Sequence, residues 1–391
     1  MWRAARGLVA CATAAVWVAG LTACGGGSTT VTETRPASDS WAWSLPAYFP
    51  TPKAPADNPM SSAKVELGRH LFHDRRLSGN GTQSCGSCHH QDKAFSDGRA
   101  TARGATGEPH PRGAQHLSNV VYNATLTWAN PALVTLERQM ETPLFGDSPV
   151  EMGVNDANKD AVLQRLRDDA AYAARFSAAF PGEAAPLNWG NIIRAIASFQ
   201  RALISGNSLY DRYLQGRATL SPAQTRGMNL FFGEKAECFH CHGSFNFNDQ
   251  IVHAASRIVE TPFSNTGLYN IDGKGGFPDG NRGVFELTAR AEDMGRFRAA
   301  SLRNVGVTAP YMHDGSIATL AEALRFYAAG GRHITSGPLA GDGRANPYKS
   351  DLISRIDLSE QEQADIVEFL HSLTDHEFLN DPRFADPFVQ R

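Results

Sequence analysis

The sequence predicts an all-α protein built as two domains of similar kind, and three observations support this prediction. Apolar residues recur every three or four positions in most periodic stretches, which is the spacing of one helix face. One cysteine motif occurs once in each half of the chain, and a helical stretch precedes each copy. We find no P-loop, no dinucleotide-binding fingerprint and no sheet pattern; the glycines at 273–276 indicate a turn. With 391 residues, the chain is long enough for two full cores.

The repeated motif is C-x-x-C-H, at Cys85–His89 and at Cys238–His242. This spacing is typical of c-type haem attachment, because two thiols add to the two vinyl groups of one porphyrin and the adjacent His reaches the iron. The motifs therefore predict two covalently attached haem c groups, each wrapped by one cytochrome-c-like domain. The predicted haem-binding residues are Cys85, Cys88, His89, Cys238, Cys241 and His242, with His89 and His242 on the irons.

The cysteine count favours haem over other uses of these motifs. Four of the six cysteines lie in the two motifs, and the other two are Cys11 and Cys24. A zinc site made from two C-x-x-C pairs is the alternative, but it gives the two following histidines no purpose.

The first 23 residues read as a lipoprotein signal peptide. Arg3 and Arg6 precede the apolar run Leu8–Leu21, which is too short for a membrane span and is followed by Leu-Thr-Ala and Cys24. We expect cleavage before Cys24 and a lipid anchor on it, with Gly25 favouring the outer membrane of a periplasmic protein. An ordinary cleaved signal is the alternative.

Composition divides the rest of the chain. Residues 24–40 are rich in Gly, Ser and Thr and predict a flexible tether, whereas 41–205 and 206–391 are predicted as the two haem domains. The net charge is −3 and no Lys/Arg block occurs, which argues against a nucleic-acid partner.

Five stretches carry clear helix signals. Ser61-Ser62 begins a helix through Phe72, which leads into the first motif, and Ser221-Pro222 begins one that leads into the second. The other three predicted helices are Asn188–Ile204, Thr319–Tyr327 and Ser359–Leu373.

Beyond the two motifs, five stretches resemble the bacterial di-haem cytochrome c peroxidase/MauG superfamily, and within it the MbnH-type enzymes associated with methanobactin gene clusters. These are residues 64–74 (KVELGRHLFHD), 77–89 (LSGNGTQSCGSCH), 94–98 (AFSDG), 125–139 (TLTWANPALVTLERQ) and 297–319 (FRAASLRNVGVTAPYMHDGSIAT). The resemblance covers essentially the whole mature chain. It implies that the first haem reacts with peroxide and that the second, six-coordinate haem stores electrons.

One position separates classical peroxidases from MauG-like enzymes on the second haem. Fourteen residues after the His of PYMHDG, classical enzymes have an iron-binding Met; here His313 leads to Tyr327, as in MauG-like enzymes. Tyrosinate is a hard anionic donor that stabilises high oxidation states of iron. The resemblance therefore implies Tyr327 as an iron ligand, with Met312 as the rival.

The distal side of the first haem also departs from the classical pattern. By alignment to Pro111-Arg112, the classical distal His falls near Ala105, which cannot bind iron. His110 and His116 are nearby; we expect them to be loop histidines, and a displaced iron ligand is the alternative. The implied first haem is five-coordinate and open.

Further roles follow from the resemblance residue by residue. Trp128 matches the tryptophan between the haems, while Gln139, Pro143 and Glu151 match the distal pocket. Glu151 is the expected acid/base that moves a proton between the two peroxide oxygens.

A calcium ion between the domains is also implied. Thr308 and Pro310 match its backbone-carbonyl ligands, but Gly113 stands where the family has an Asn ligand.

The function implied is peroxide-driven formation of a bis-Fe(IV)-like state that oxidises a side chain, expected to be Trp, of a secreted, copper-handling partner protein. The alternative is a classical peroxidase that takes electrons from a small cytochrome or copper protein. A non-catalytic electron carrier is a third class, disfavoured by the open first haem.

Overall fold

Small polar side chains begin the helices of this protein. In a computed structural model, which describes residues 41–389, the side chains of Ser61, Asn188, Ser221, Thr319 and Ser359 each accept a hydrogen bond from a backbone N–H in the first helical turn. All five predicted helices are therefore confirmed at their starts, and their ends agree to within a few residues.

The helices fall into two sets along the chain. The first set is α1 (Ser62–His73), α2 (Leu136–Phe145), α3 (Lys159–Arg167), α4 (Ala170–Ala179) and α5 (Trp189–Arg201). The second set is α6 (Leu209–Leu214), α7 (Pro222–Phe231), α8 (Phe239–His242), α9 (Phe285–Thr288), α10 (Leu320–Ala328), α11 (Glu360–His371) and α12 (His376–Asn380). Short 3-10 turns and irregular chain connect them.

The described chain contains a small amount of strand that the sequence did not indicate. Strands β1 (His333–Ile334) and β2 (Gly341–Asp342) pair antiparallel, with His333 opposite Asp342. Each strand has only two residues, which is too short for the alternating pattern that identifies a strand. The fold remains predominantly helical.

Two equivalent helix pairs form the framework around the cysteine motifs. Helix α1 packs on α5, and α7 packs on α11. Glycines permit the close approach: a Cβ on Gly68 would lie 2.0 Å from the carbonyl oxygen of Ala195, and one on Gly227 would lie 1.9 Å from that of Asp365. Each motif thus follows a helix that is fixed against a second helix.

The buried residues of the two largest apolar cores follow the same division, with one exception. One core draws on buried residues between Leu67 and Leu203, and another on residues between Tyr210 and Leu373. The exception is the C-terminal part of the predicted second domain, because Phe378 and Phe384 pack into the first core.

The start of the described chain is held by a buried ion pair. Arg303 donates to Asp211 at 2.9 Å, and Tyr48 also donates to Asp211. The ring of Phe49 lies 4.8 Å from the Arg303 guanidinium. Trp43 packs nearby, so these residues attach the segment after the predicted tether to the folded body.

No helix within residues 41–389 is long and apolar enough to cross a membrane. The predicted signal peptide, Cys11, Cys24 and the tether lie outside the described residues.

Candidate di-haem site

The first motif forms a tight turn that presents its histidine. The backbone N–H of His89 donates to the carbonyl of Cys85 at 3.0 Å, which closes the turn. The Nδ1 of His89 lies 2.6 Å from the carbonyl oxygen of Phe95. Since a carbonyl can only accept, the proton lies on Nδ1 and the lone pair on Nε2 is available to a metal.

The second motif repeats this arrangement. Its histidine, His242, ends α8, and its Nδ1 lies 2.8 Å from the carbonyl oxygen of Phe247. Phe95 and Phe247 both have left-handed backbones, with φ of 66° and 54°, which turns each carbonyl towards its histidine. The thiols of both motifs are free. Burial raises the pKa of Cys85 and Cys238 to about 12.

A cavity of about 280 Å³ opens beside the second motif. Cys238, Cys241 and His242 line it on one side, and Tyr327 and Met312 also line it. The remaining lining is largely apolar and includes Leu320, Leu324, Ile366 and Leu370. The structure therefore brings both candidate second ligands to the cavity of the second motif.

Buried polar atoms that lack a hydrogen-bond partner indicate what kind of group the cavity can hold. Arg298 Nη1 and Gln115 Nε2 line it and are buried donors with no partner within residues 41–389. Burial lowers the pKa of Arg298 to about 10, although the negative charge of Asp249 acts to raise it. Buried donors of this kind need an acceptor. A flat apolar group with carboxylates, attached through the two thiols, satisfies this set, so the residues fit a haem.

Trp128 lies where the cavity extends towards the first half of the chain. Its Nε1 donates to the carbonyl of Gly113 at 2.9 Å, and its ring centroid is 6.5 Å from that of His313. Gly113 in turn donates to the carbonyl of His313 at 2.9 Å. Trp128 therefore has a fixed orientation beside the second motif's cavity.

The predicted distal-pocket residues come together beside the first motif. Gln139 and Pro143 lie on α2, and the N–H of Met152 donates to the carbonyl of Pro143 at 2.9 Å, which places Glu151 next to them. Pro143 has no N–H, so the Gln139 carbonyl lacks its usual helical partner.

The Glu151 carboxyl is close to the first motif's cysteines. Its negative charge contributes to raising the pKa of Cys85 and Cys88, after their burial. Burial also raises the pKa of Glu151 itself, and the nearby His110 opposes that shift. A carboxyl that retains its proton more readily than a solvated Glu suits acid/base chemistry.

Ala105 and the two neighbouring histidines have distinct positions. The N–H of Ala105 donates to the carbonyl of Glu151 at 2.7 Å, so an alanine occupies this wall of the first site. His110 is beside Glu151, and its Nε2 is 3.4 Å from the Val150 carbonyl. His116 lies in irregular chain, as expected of a loop histidine, and it also lines the cavity, with its Nε2 2.8 Å from the Ser301 carbonyl.

The three positions considered for calcium line one cavity. Gly113, Thr308 and Pro310 all line the same cavity as Tyr327. Gly113 supplies no side-chain oxygen, and calcium binding stays a prediction.

Arg298 and Gln115 were missed by sequence reasoning, although they complete the site. Arg298 Nη2 donates to Gln115 Oε1 at 2.7 Å. No periodic pattern marks a buried arginine, and only its place in the FRAAS stretch of the family motif could have drawn attention to it. The carbonyls of Phe95 and Phe247 had a clearer signal, because each Phe follows its motif at nearly the same distance.

A helical fold with two histidine-bearing C-x-x-C-H turns, one of them beside a cavity whose lining fits a haem, is typical of di-haem proteins. Comparison with known proteins gives the family. Residues 62–219 match the family model described as di-haem cytochrome c peroxidase.

The similarity extends well beyond that region. Cytochrome-c peroxidase IdrP1 of Denitromonas iodatirespirans is 34% identical over 361 residues, which are 87% of this chain and 89% of that protein. Methylamine utilization protein MauG of Methylorubrum extorquens is 32% identical over 90% of both chains. The solved structure of a MauG-like protein associated with microbial copper homeostasis is 56% identical with a TM-score of 0.89, over 90% of this chain and 100% of that one.

This chain belongs to the di-haem cytochrome c peroxidase/MauG family, and it is a haem-dependent oxidoreductase. The family implies two haem groups, and it implies hydrogen peroxide and a partner protein as reactants.

Proposed function

We propose that this protein is a MauG-like, MbnH-like enzyme that uses hydrogen peroxide to oxidise an amino-acid side chain, a tryptophan, of a partner protein. The observation that carries the proposal is the position of Tyr327, which lines the cavity of the second motif with Cys238 and Cys241. Burial raises the pKa of its phenol, with further upward contributions from the two thiols. Only a strong cation would stabilise tyrosinate in such surroundings, and a haem iron held by the second motif would be that cation.

Two covalently attached haem c groups would supply the chemistry that reduces peroxide and stores its two oxidising equivalents. Cys85, Cys88, Cys238 and Cys241 would attach them, and the free Nε2 atoms of the two motif histidines would bind the irons. Tyr327 would be the second ligand in the cavity. Thr308 and Pro310 would offer carbonyl oxygens to a calcium ion.

The other residues act on protons and electrons. Glu151 takes the proton from one peroxide oxygen and returns it to the other, and its raised pKa makes the return favourable. Gln139 and Pro143 form the wall that positions peroxide against Glu151. Trp128, fixed by its hydrogen bond to Gly113, relays electrons between the two haems.

The proposed substrate is a secreted, copper-binding protein. The association of the 56% identical MauG-like protein with microbial copper homeostasis supports this class of partner. The signal-like start and Cys24 support a periplasmic enzyme anchored by lipid to the outer membrane. Cys24→Ala should then release the protein from membranes or block its processing, and a wild type found soluble and unlipidated would contradict the anchor.

A classical peroxidase that uses electrons from a small cytochrome or copper protein is the second candidate. It is favoured by Met312, which lines the same cavity as Tyr327, and by relatives named cytochrome-c peroxidases.

Mössbauer spectroscopy of the iron-57 enzyme after peroxide separates the two candidates. The proposal expects both irons to be oxidised above the ferric state and a partner tryptophan to be modified. Tyr327→Met should keep both haems and lose this state, whereas Tyr213→Phe, a tyrosine change away from the cavity, should retain it. Oxidation of one iron only, with rapid use of a cytochrome donor, would establish the classical activity.

A further inference from the structure

One buried tyrosine close to the cavity of the second motif is hydrogen-bonded to a carboxylate that can act as a base. Tyr269 is 3% exposed, and its phenol donates to Asp314 Oδ2 at 2.6 Å. The other carboxylate oxygen, Oδ1, accepts from the N–H of Ser316 at 3.0 Å. Burial, followed by the bond to Asp314, raises the pKa of Tyr269 to about 12. The phenol is therefore protonated at neutral pH, and its proton points at a carboxylate.

This pair differs from the other tyrosine–carboxylate pairs within residues 41–389. In those, an arginine also binds the carboxylate, which neutralises it and weakens it as a proton acceptor. Asp314 forms no ion pair in the described part of the chain, so its charge is available to the phenol proton. The arginine-containing sets are Tyr48–Asp211–Arg303 and Tyr172–Asp74–Arg76.

The pair also lies next to the aromatic residues of the cavity. Asp314 follows His313, whose ring stacks on Phe297 with centroids 3.7 Å apart and lies 6.5 Å from the ring of Trp128. Tyr269 belongs to the apolar cluster against which Tyr327 packs. An electron leaving Tyr269 therefore has a short route through packed side chains to the cavity.

We propose that Tyr269 is a proton-coupled electron donor to the peroxide-oxidised haem site, with Asp314 as its proton acceptor. Tyr269 loses one electron, which reduces the oxidised haem site by one equivalent. The O–H bond of the phenol breaks, and its proton binds Asp314 Oδ2. The products are a neutral tyrosyl radical and a carboxylic acid, and hydrogen peroxide is the ultimate oxidant.

This step rests on the peroxide reaction of the proposed function. It adds a second route by which the oxidised haem site can be reduced. When no partner protein is bound, Tyr269 accepts the oxidising equivalent that would otherwise remain at the haems. Because the side chain is buried among apolar residues, the radical is kept from solvent and from other chains.

The test uses the holoenzyme, treated with peroxide without partner and frozen at intervals for electron paramagnetic resonance. Wild type should show a tyrosyl radical that Tyr269→Phe removes. Tyr269→Phe should also slow the decay of the oxidised enzyme, by about tenfold if the phenol is the main outlet. Asp314→Asn, which retains a hydrogen-bonding side chain but is a poor base, should lower the radical yield and slow the decay by a similar factor.

Tyr311→Phe is the matched control. Tyr311 packs against the same apolar cluster, but its phenol donates to the Val305 carbonyl, which is not a base, at 3.0 Å. This variant should retain the radical and the wild-type decay. The visible spectra of all variants should show both haems.

The outcomes separate this inference from the proposed function. A partner tryptophan that is oxidised normally, with no radical at Tyr269 and an unchanged decay in Tyr269→Phe, would overturn the inference alone. A Tyr269 radical in an enzyme that leaves the partner unmodified would support the inference and overturn the proposed function.

Discussion

Gly227 of α7 and Asp365 of α11 meet backbone to backbone, because a Cβ on Gly227 would lie 1.9 Å from the Asp365 carbonyl oxygen. Gly68 and Ala195 repeat this contact between α1 and α5. The two contacts fix the helices that lead into the two cysteine motifs. The position of each predicted haem therefore depends on a glycine, because a larger side chain would separate the two helices.

Gly227→Ala should therefore destabilise the fold. The added methyl must displace α7 from α11, and overpacking of this kind costs about 1–3 kcal/mol. Thermal unfolding followed by circular dichroism measures the loss. Gly190→Ala on α5 is the control, since its Cβ would meet only the Asn188 side chain at 3.3 Å, and it should be neutral or stabilising by up to about 1 kcal/mol. Equal melting temperatures for the two variants would contradict the close-contact explanation.

Cys238→Ala combined with Cys241→Ala should remove one covalent haem. Each motif provides its own pair of thiols, so attachment at Cys85 and Cys88 should be unaffected. Intact-protein mass spectrometry after acid–acetone extraction checks this, with the wild type retaining two haems. A wild-type protein that retains a single haem would show that one motif is not an attachment site.

Glu151→Gln should slow the reaction with peroxide by about 10²–10⁴-fold, the range expected for loss of a general acid/base. Burial raises the Glu151 pKa above the ordinary value of 4.5, so the carboxylate that accepts the peroxide proton forms only as pH rises through that higher value. The wild-type rate should thus increase with pH above 4.5 and then level, whereas the variant should be slow and lack this rise.

Stopped-flow mixing with peroxide across a pH series measures this dependence. Glu108→Gln changes an exposed carboxylate of the preceding loop and should keep the wild-type profile. A Glu151→Gln variant with the wild-type rate and profile would exclude Glu151 from the proton transfer.

Asp211→Asn should be strongly destabilising, by about 3–5 kcal/mol, because it leaves the Arg303 charge buried and uncompensated. Burial alone would raise the Asp211 pKa, but Arg303 and the hydrogen bonds from Tyr48 and Ser208 outweigh it and hold the pKa below 3.8. Because this folded-state pKa is depressed, the contribution is present above pH 3.8 and is lost as pH falls through the lower value.

Acid unfolding of the wild type and of Asp211→Asn measures the contribution of the charged Asp211 carboxylate. The variant should lose the part of the acid transition that lies below pH 3.8. Asp156→Asn, which breaks the exposed pair with Lys159, should leave both stability and acid transition unchanged. An Asp211→Asn protein as stable as wild type would mean that Arg303 finds another acceptor.

Several helices were missed because their local signals are weak or contradictory. Helix α2 contains Pro143, and a proline argues against a helix because it has no N–H to donate. The helix nevertheless continues through it, since the missing N–H affects only one helical hydrogen bond, the one to the Gln139 carbonyl. Helix α12 has five residues, too few to show a period. Its Phe378 packs into the first core, a contact between distant parts of the chain that no local pattern encodes.

The sequence by itself determined the family, the two haem-attachment motifs and the five capped helices, because thiol spacing, capping side chains and apolar period are local properties of the chain. Within residues 41–389, the tertiary structure alone decided which buried polar atoms lack a partner, as for Arg298 Nη1 and Gln115 Nε2. It also decided which tyrosine-bound carboxylate forms no ion pair there, as for Asp314. It also placed the loop histidine His116 on the wall of the cavity. Burial and charge pairing depend on residues far apart in sequence, so they arise only when the two halves of the chain pack around a shared cavity.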